Sequence, residues 1–456
     1  MTNSIFEKAK SNPNNPEKNT LVSNSSWLPY IAIIILTLIS YSNSFNNENN
    51  LDDDYIYNSL PKTEASFKGI ISVFSIPYNF TDYRPITMLS FVLERLFIGV
   101  SPHTSHIVNV LLYLILCLSI YLLLSKLPTP NIEFIALAAV LIFCVHTSHT
   151  EVVCSIKNRD NILSMLFGIW SVYFFIQHTK NNRKIHYALG FFFLTIAILS
   201  KRDAIVFLII IPFTLFVFYD TSLKKLLSII LFSVIALLVT NKLSDRAIML
   251  NHSTYNVFAS YTENPLYSHP GFFNRISQAI QTASYYLKFM LIPSDYYYYF
   301  GFEMIPLKNL FSIDILLLFL LHVIILGFAI YQYNKNKLLF FGILFFYLSL
   351  SYCLNFLTPV SGIVSVRYGF ISSLGFCIIS SVLILKLSEK IQATESLLQL
   401  PVIKLVKPRL FGILITCCII YYLPFTISRN KDWKDIYTLI KVDIREMKQS
   451  FQGNRI

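Results

Sequence analysis

Three consecutive carboxylates, Asp52, Asp53 and Asp54, are the side chains in this sequence best suited to chemistry. They follow an apolar run by about ten residues. A carboxylate in that position could act as a general base and take the proton from an attacking hydroxyl. Asp52 and Asp53 could equally hold a divalent cation against a phosphate. The alternative is an acidic loop that is simply solvated, which is common for runs of like charge.

A second polar group follows the third apolar run, in the sequence His146-Thr-Ser-His149-Thr-Glu151. Arg159 comes shortly after it, where the chain becomes apolar again. Ionisable side chains at the edge of a membrane segment are costly and are therefore candidates for function. The alternatives are an ion pair between Glu151 and Arg159 that caps the segment, and a hydrogen-bonded structural role for the histidines.

Three cations interrupt apolar stretches or lie beside them: Arg84, Lys201 and Arg367. Such cations beside carboxylates indicate an anionic ligand such as a phosphate. The alternative for each one is a side chain that extends to the lipid headgroups. The aromatic run from Tyr296 to Phe300 could stack on a sugar, but tyrosine is also typical of the membrane interface.

The elements that must position these residues are membrane helices. Of 456 residues, 54% are hydrophobic and 14% are charged, and the mean hydropathy is +0.56. A soluble domain carries about 25% charged residues, so we exclude a soluble domain of ordinary size. The net charge of +12 does not indicate nucleic-acid binding, because the lysines and arginines cluster in short runs between apolar segments.

The fold class that we predict is an all-α polytopic membrane protein with about eleven transmembrane helices. Nine of them cover residues 27–41, 107–124, 132–145, 162–176, 226–239, 313–330, 338–357, 368–387 and 411–427, and the other two flank the polar break at residues 200–203. Residues 276–292 carry a polar stripe that favours a helix lying in the membrane interface. The predicted organisation is a polar cytoplasmic tail (1–26), a transmembrane domain (27–427) and a short extracytoplasmic tail (428–456).

The distribution of basic residues predicts which loops share a side. With a cytoplasmic N-terminus, the basic loops at 179–184, 224–225, 334–337 and 386–409 all lie inside. The acidic first loop, the loop with Glu151, the break at Lys201 and the loop with Arg367 then share the outer side. This arrangement predicts one extracytoplasmic site, as in an enzyme that works at the outer membrane face.

These motifs, in this order, resemble those of one group of GT-C glycosyltransferases, the membrane proteins related to the TMTC-type and PMT-type O-mannosyltransferases. The resemblance covers residues from about 27 to 440. The residues that carry it are Asp52-Asp53, Tyr83-Arg84-Pro85, His149-Thr150-Glu151-Val152 with Arg159, Leu199-Ser200-Lys201, Arg367-Tyr368 and Trp433. TMTC-type proteins continue into tetratricopeptide repeats, whereas the tail predicted here is shorter than one repeat of about 34 residues.

The resemblance implies transfer of a sugar from a polyprenyl-phosphate carrier to a protein or glycan acceptor on the outer side of a bacterial inner membrane. It implies Asp53 or Asp52 as the catalytic base and Glu151 as a second catalytic acidic residue. It assigns the lipid phosphate to Lys201 and Arg367, whose positive charge would stabilise the leaving group. The substrate-binding residues that we infer are Arg84, His149, Arg159, Lys201, Arg367 and Tyr368.

Three other functions are weighed against this one. A transporter or flippase of lipid-linked saccharide would place charges near the middle of several spans, whereas most charges here lie at span ends. An O-antigen polymerase or ligase would have a dominant late outer loop, and here the first loop and residues 241–311 are the largest. A structural scaffold would give the acidic triplet no purpose. No cofactor is certain from the sequence, a divalent cation is possible, and the predicted partners are the lipid-linked sugar, its acceptor and membrane lipids.

Overall fold

The computed structural model describes residues 27–53, 56, 67–78, 82–99, 101–250, 263–300, 304–397 and 407–444. Asp54, the predicted N-terminal tail and the end of the predicted C-terminal tail lie outside the described residues. Within them the regular structure is helical, apart from an isolated bridge between Phe300 and Val364. The predicted all-α membrane fold is confirmed.

The described helices are numbered in chain order. They are α1 (Leu28–Tyr41), α2 (Phe67–Ser72), α3 (Pro85–Phe97), α4 (Pro102–Leu124), α5 (Ile132–Val145), α6 (Thr150–Cys154), α7 (Arg159–Asn181), α8 (Lys184–Ser200), α9 (Phe207–Phe218), α10 (Leu223–Leu250), α11 (Phe272–Leu291), α12 (Ile313–Gln332), α13 (Lys337–Leu350), α14 (Phe370–Leu397), α15 (Lys407–Asp432) and α16 (Ile436–Asp443). Short 3₁₀ turns cover Thr147–His149, Arg202–Val206 and Val366–Gly369.

Six of the described helices, α4, α7, α10, α12, α14 and α15, are long and apolar enough to cross a membrane. A seventh span results if α5 and the bent segment after it, at 57° to each other, are taken together. Three shorter apolar helices, α1, α8 and α13, add to this set. The total of eleven spans stays a prediction. The predicted boundary at residue 427 falls inside α15, which continues to Asp432.

The interior of the bundle is formed by α4, α7 and α14, and its periphery by α10, α12 and α15. In α7 67% of the apolar window is buried inside the protein, against 17% in α12. Helices α13 and α14 pack so closely that a Cβ atom on Gly375 would lie 2.7 Å from the carbonyl oxygen of Gly342. Small residues permit this close approach, which is how membrane helices gain contact energy when lipid is as apolar as the side chains.

Helix α11 covers the segment with the polar stripe. Its stripe faces the protein: Ser277, Gln278, Gln281 and Thr282 are all buried. The Ser277 hydroxyl donates to the carbonyl of Lys308 (2.7 Å), and the Thr282 hydroxyl oxygen accepts from the Asn355 amide (3.3 Å). We expected a helix that presents this stripe to the membrane interface. The structure turns the stripe inward, where loop groups bind Ser277 and Thr282, while the buried Gln278 side chain and the Gln281 amide nitrogen have no hydrogen-bond partner among the described residues.

Loops predicted to share one side of the membrane meet at one end of the bundle. The first loop is tied to the end of α15 by two amide side chains, Asn43 to the carbonyl of Ile427 (2.9 Å) and Asn50 to that of Trp433 (2.5 Å). Basic loops meet at the opposite end, where the Lys180 ammonium donates to the carbonyl of Lys126 (3.3 Å). The two ends therefore carry the two groups of loops that the charge pattern separates.

Candidate active site

Asp53 joins the first loop to the turn between α6 and α7. Its side chain is fully buried and accepts hydrogen bonds from the backbone N–H groups of Lys157 (2.8 Å) and Asn50 (3.0 Å) and from the Ser155 hydroxyl (3.2 Å). Burial raises the pKa of Asp53 to about 6, against the opposing effect of these donors, the backbone N–H of Lys157 first. Asp53 therefore fixes the position of the residues around it.

Asp52 is the neighbouring carboxylate, and it faces the opposite way. Its side chain is 68% exposed and forms an ion pair with the Lys157 ammonium. Partial desolvation raises its pKa, but Lys157, Arg367 and Arg84 outweigh this effect and hold the pKa of Asp52 below its ordinary value. Asp52 is thus ionised, accessible and surrounded by cations.

Asp160, in the first turn of α7, is a buried carboxylate shared by two cations. Arg84 forms an ion pair with it and a second one with Asp82 (2.5 Å). The Lys201 ammonium lies 3.6 Å from Asp160 and 3.3 Å from Asp203. Charged groups so far from water persist only when they are paired, so Asp160 holds Arg84 and Lys201 at one place.

The Glu151 carboxylate is bound by two groups of Arg367, its guanidinium and its backbone N–H. The guanidinium lies 2.5 Å from one carboxylate oxygen, and the backbone N–H of Arg367 donates to the other (3.1 Å). Glu151 is buried, whereas the Arg367 side chain is 27% exposed. The ring of Tyr368 lies between two cations, with Arg367 at 5.1 Å and Lys201 at 5.9 Å from its centroid.

These contacts join residues from distant parts of the chain into one ion cluster. Its cations are Arg84, Lys157, Lys201 and Arg367, and its carboxylates are Asp52, Asp82, Glu151, Asp160 and Asp203. Arg367 and Lys157 also lie within electrostatic range of Asp160, which connects the separate ion pairs into one cluster. An anion could be bound by the partly exposed members, Arg367 and Lys157, beside an ionised base.

Two of the inferred substrate-binding residues lie away from the cluster. His149 is buried, with one ring nitrogen 2.8 Å from the Tyr113 hydroxyl and the other 2.8 Å from that of Ser373. Arg159 is buried, pairs with Glu94 (2.5 Å) and donates to the side-chain oxygen of Asn109 (2.7 Å). In both cases protein groups hold the side chain inside the bundle, as in a structural residue.

Four members of the cluster, Asp82, Lys157, Asp160 and Asp203, were not among the site residues predicted from the sequence. Lys157 lies in a short polar turn without any motif around it, so nothing in the sequence pointed to it. Asp160 did have a signal, because it is an ionisable residue at the start of a membrane helix. Within the described part of the chain, no group of three or more His, Cys, Asp or Glu side chains is arranged to hold a metal ion.

Comparison with known proteins places a family match on part of the chain. Residues 88–243 match the family described as dolichyl-phosphate-mannose-protein mannosyltransferase. The resemblance inferred from the sequence is thereby confirmed. This chain is similar to the membrane mannosyltransferases of that family. The matched region includes Glu151, Lys157, Asp160 and Lys201, whereas Asp52 and Arg367 lie outside it.

Curated relatives give the same result. The chain is 29% identical over 126 residues to the human protein O-mannosyl-transferase TMTC3, over 27% of this chain and 13% of the relative. It is 36% identical over 84 residues to mouse TMTC1 (18% and 9%) and 28% identical over 151 residues to mouse TMTC2 (32% and 18%). The matches thus span less than a fifth of each of these relatives.

Proposed function

We propose that this protein is a membrane glycosyltransferase that moves a hexose from a polyprenyl-phosphate donor to a hydroxyl of a protein or glycan acceptor. One observation carries the proposal: Asp52 is an exposed carboxylate that forms an ion pair with Lys157 and lies within electrostatic range of Arg367 and Arg84, three cations from separated parts of the chain. A phosphate leaving group and an acceptor hydroxyl require that combination of charges. The similarity to mannosyltransferases supports mannose as the first sugar to test.

The reaction assigns one role to each exposed member of the cluster. Asp52 takes the proton from the acceptor hydroxyl, and the oxygen of that hydroxyl attacks the anomeric carbon of the donor sugar. The bond between that carbon and the phosphate oxygen breaks, and the polyprenyl phosphate leaves with the electron pair. Arg367 and Lys157 stabilise the additional negative charge on the phosphate, where their positive charge contributes most.

Asp52 and Asp53 are the two candidates for the general base: Asp52 is more accessible, and Asp53 is more basic. Asp53 has a pKa of about 6, closer to neutral pH, which favours it as a base. Its oxygens are buried, however, and already accept three hydrogen bonds, so an acceptor hydroxyl has no approach to it. We assign the base to Asp52, because a base must first reach the proton, and we assign Asp53 to positioning the turn that carries Lys157.

The buried members of the cluster support the exposed ones. Glu151 orients Arg367 through both its backbone N–H and its guanidinium. Asp160 holds Arg84 and Lys201, and Lys201 also donates to the side-chain oxygen of Asn161 (2.9 Å). We therefore assign direct phosphate contact to Arg367 and a positioning role to Lys201. A divalent cation would be held by Asp52, since the Asp53 oxygens are occupied.

The test uses protein purified in detergent with radiolabelled polyprenyl-phosphate mannose, and polyprenyl-phosphate glucose as a second donor. Label transferred to cell-envelope protein or glycan is measured for the wild type, for Asp52→Asn and for Asp314→Asn. Asp314 is a matched control, because it is an ion-paired aspartate outside the cluster. Transfer by the wild type and the control, but not by Asp52→Asn, supports the proposal.

Two further results are informative. Loss of transfer in Asp53→Asn with retention in Asp52→Asn would assign the base to Asp53 instead. Absence of transfer by folded wild-type protein from either donor would contradict the proposed activity. A parallel assay with EDTA reports whether the reaction needs a divalent cation. We further propose the extracytoplasmic face of a bacterial inner membrane as the place of reaction, which protease or thiol labelling of the loop around Asp52 tests in intact cells.

A further inference from the structure

The end of the bundle opposite the ion cluster contains a cleft of about 320 Å³. Three elements form its walls: the turn before α5 (Pro128, Thr129, Pro130 and Asn131), the turn that leads into α13 (Asn334 to Leu338), and one face of α14 (Val382, Leu385, Lys386 and Glu389). These elements are far apart in the sequence. The cleft is therefore a product of the fold rather than of one basic loop.

Three lysines line this cleft: Lys335, Lys337 and Lys386. All three side chains are exposed, and within the described residues none forms an ion pair. Lys335 lies over the ring of Tyr331 at 3.7 Å, while Lys337 and Lys386 have no side-chain partner among the described groups. Among the described lining residues, Glu389 is the single carboxylate. The lining therefore carries, among the residues that the structure describes, an excess of positive charge that no ion pair neutralises.

The remaining groups on the lining suit a phosphate that carries an apolar part. The amide side chain of Asn131 is exposed, and the buried hydroxyl oxygen of Thr129 has no hydrogen-bond partner. Ile135, Leu338, Val382 and Leu385 form an apolar floor beside them. Helix α13 begins at Lys337, so the positive end of its dipole adds to the field of the lysines. Lysine ammonium groups bind phosphate as point charges.

We propose that this cleft is a binding site for a phosphate-bearing anion, held by Lys335, Lys337 and Lys386. Two sources share this chemistry: the headgroup of an anionic phospholipid, whose glycerol and first acyl carbons would lie on the apolar floor, and a soluble phosphate. The site is separate from the ion cluster and does not depend on the proposed transferase activity.

The experiment measures binding of dioleoyl-phosphatidylglycerol to the purified protein by native mass spectrometry from detergent, with dioleoyl-phosphatidylcholine as the uncharged comparison. Three proteins are compared: the wild type, Lys335→Gln/Lys337→Gln/Lys386→Gln, and the control Lys184→Gln/Lys224→Gln/Lys225→Gln. The control removes the same charge from basic residues that do not line the cleft. A parallel titration with inorganic phosphate separates the two sources.

For the wild type we expect saturable binding of one phosphatidylglycerol in preference to phosphatidylcholine. A lysine near a membrane surface contributes a factor of about five in affinity for an anionic lipid, so the cleft variant should bind about 100-fold more weakly. The control should change affinity by about twofold or less. Glu389→Gln should tighten binding by about fivefold, because it removes the negative charge on the lining.

The outcomes divide as follows. Selective loss in the cleft variant without competition by millimolar phosphate supports a lipid headgroup, and competition supports a soluble phosphate. Equal weakening in both triple variants would show attraction by overall charge and overturn the site. No saturable binding of either probe to the wild type would also overturn it. Because the substituted lysines are exposed, apart from the half-buried Lys225 of the control, a thermal unfolding curve like that of the wild type is expected for each variant.

Discussion

The two ends of the helical bundle both carry clustered cations, which in the described part of the chain are ion-paired at one end and unpaired at the other. At the ion cluster every cation lies beside a carboxylate, and two of these carboxylates, Glu151 and Asp160, are buried. At the opposite cleft Lys337 and Lys386 are exposed and have no ion pair among the described residues. Paired cations are held in fixed positions at the cost of part of their charge. Unpaired ones keep their full charge but not a fixed geometry.

This contrast indicates two kinds of function. Chemistry needs groups held to within a fraction of an ångström of the reacting atoms, and the buried carboxylates Glu151 and Asp160 supply that restraint. Recognition of a phosphate group by charge needs less precision, since its strength depends mainly on the number of ammonium groups nearby. Four predictions test how far this difference holds.

The largest effect is expected on the rate of sugar transfer, which substitutions at the two ends of the bundle should change to very different extents. Asp52→Asn should lower the rate of sugar transfer by a factor of about 100 to 10,000, as for loss of an essential base. The triple variant Lys335→Gln/Lys337→Gln/Lys386→Gln should transfer sugar at close to the wild-type rate in detergent. Both are measured with the radiolabelled donor. A loss of transfer in the lysine variant as large as that in Asp52→Asn would show that the two ends act as one site.

A large effect on stability is expected for Asp160→Asn. This change removes the buried carboxylate that Arg84 and Lys201 share, and breaking a buried ion pair costs about 3–5 kcal/mol. We expect the apparent Tm in detergent to fall by roughly 5 °C. Asp314→Asn, which breaks an exposed pair with Lys308, serves as the control and should leave Tm nearly unchanged. Equal Tm values for the two variants would refute the shared-carboxylate role.

A smaller effect on turnover is expected for Glu151→Gln. The amide cannot pair with Arg367, so the guanidinium loses its fixed position, and misplacement of a catalytic group by about 1 Å can cost about 100-fold. We expect kcat/KM for the lipid donor to fall by about 10- to 100-fold with the fold intact. Glu133→Gln, an exposed change at the start of α5, is the control. A variant with wild-type kcat/KM would remove Glu151 from the site.

The smallest effect concerns pH. Because the pKa of Asp53 is raised to about 6 in the folded protein, the folded state binds this proton more tightly than the unfolded one. The contribution of Asp53 to stability is therefore greatest at low pH, and it declines as the pH rises from about 4 to about 6. Thermal unfolding between pH 4.5 and 7.5 measures it, with Asp53→Asn as the comparison. From pH 4.5 to 7.5 the Tm of the wild type should decrease more than that of the variant. An equal decrease in both proteins would contradict the raised pKa of Asp53.

Much of the arrangement could be predicted from the sequence, because it depends on charge and hydropathy. The loops with Asp52, Glu151, Lys201 and Arg367 were placed on one side by the distribution of lysines and arginines alone, and the structure brings these residues to one end. The positive-inside pattern carries this information because it restricts loops rather than individual contacts.

The pairings within the site could not be predicted in this way. Arg159 and Asp160 are adjacent in the sequence, yet Arg159 pairs with Glu94 in the interior and Asp160 with Arg84 and Lys201. Adjacent residues on a helix point in directions about 100° apart, so one of them can be structural and the other part of the site. A buried structural histidine such as His149 and a ligand-binding one also look alike in sequence, since both interrupt an apolar run.

The course of helix α14 sets a length scale for the surrounding membrane. From Arg367 the chain passes through one 3₁₀ turn and then along α14 to Lys386, which spans roughly 30 Å at the usual rise per residue. This separation between two layers of charge equals the hydrocarbon thickness of an ordinary bilayer, about 30 Å. A thicker bilayer would draw one of the two charges into the acyl chains, and a thinner one would expose apolar residues of α14 to water. Helix α14 is thus long enough to cross the hydrocarbon layer of an ordinary bilayer.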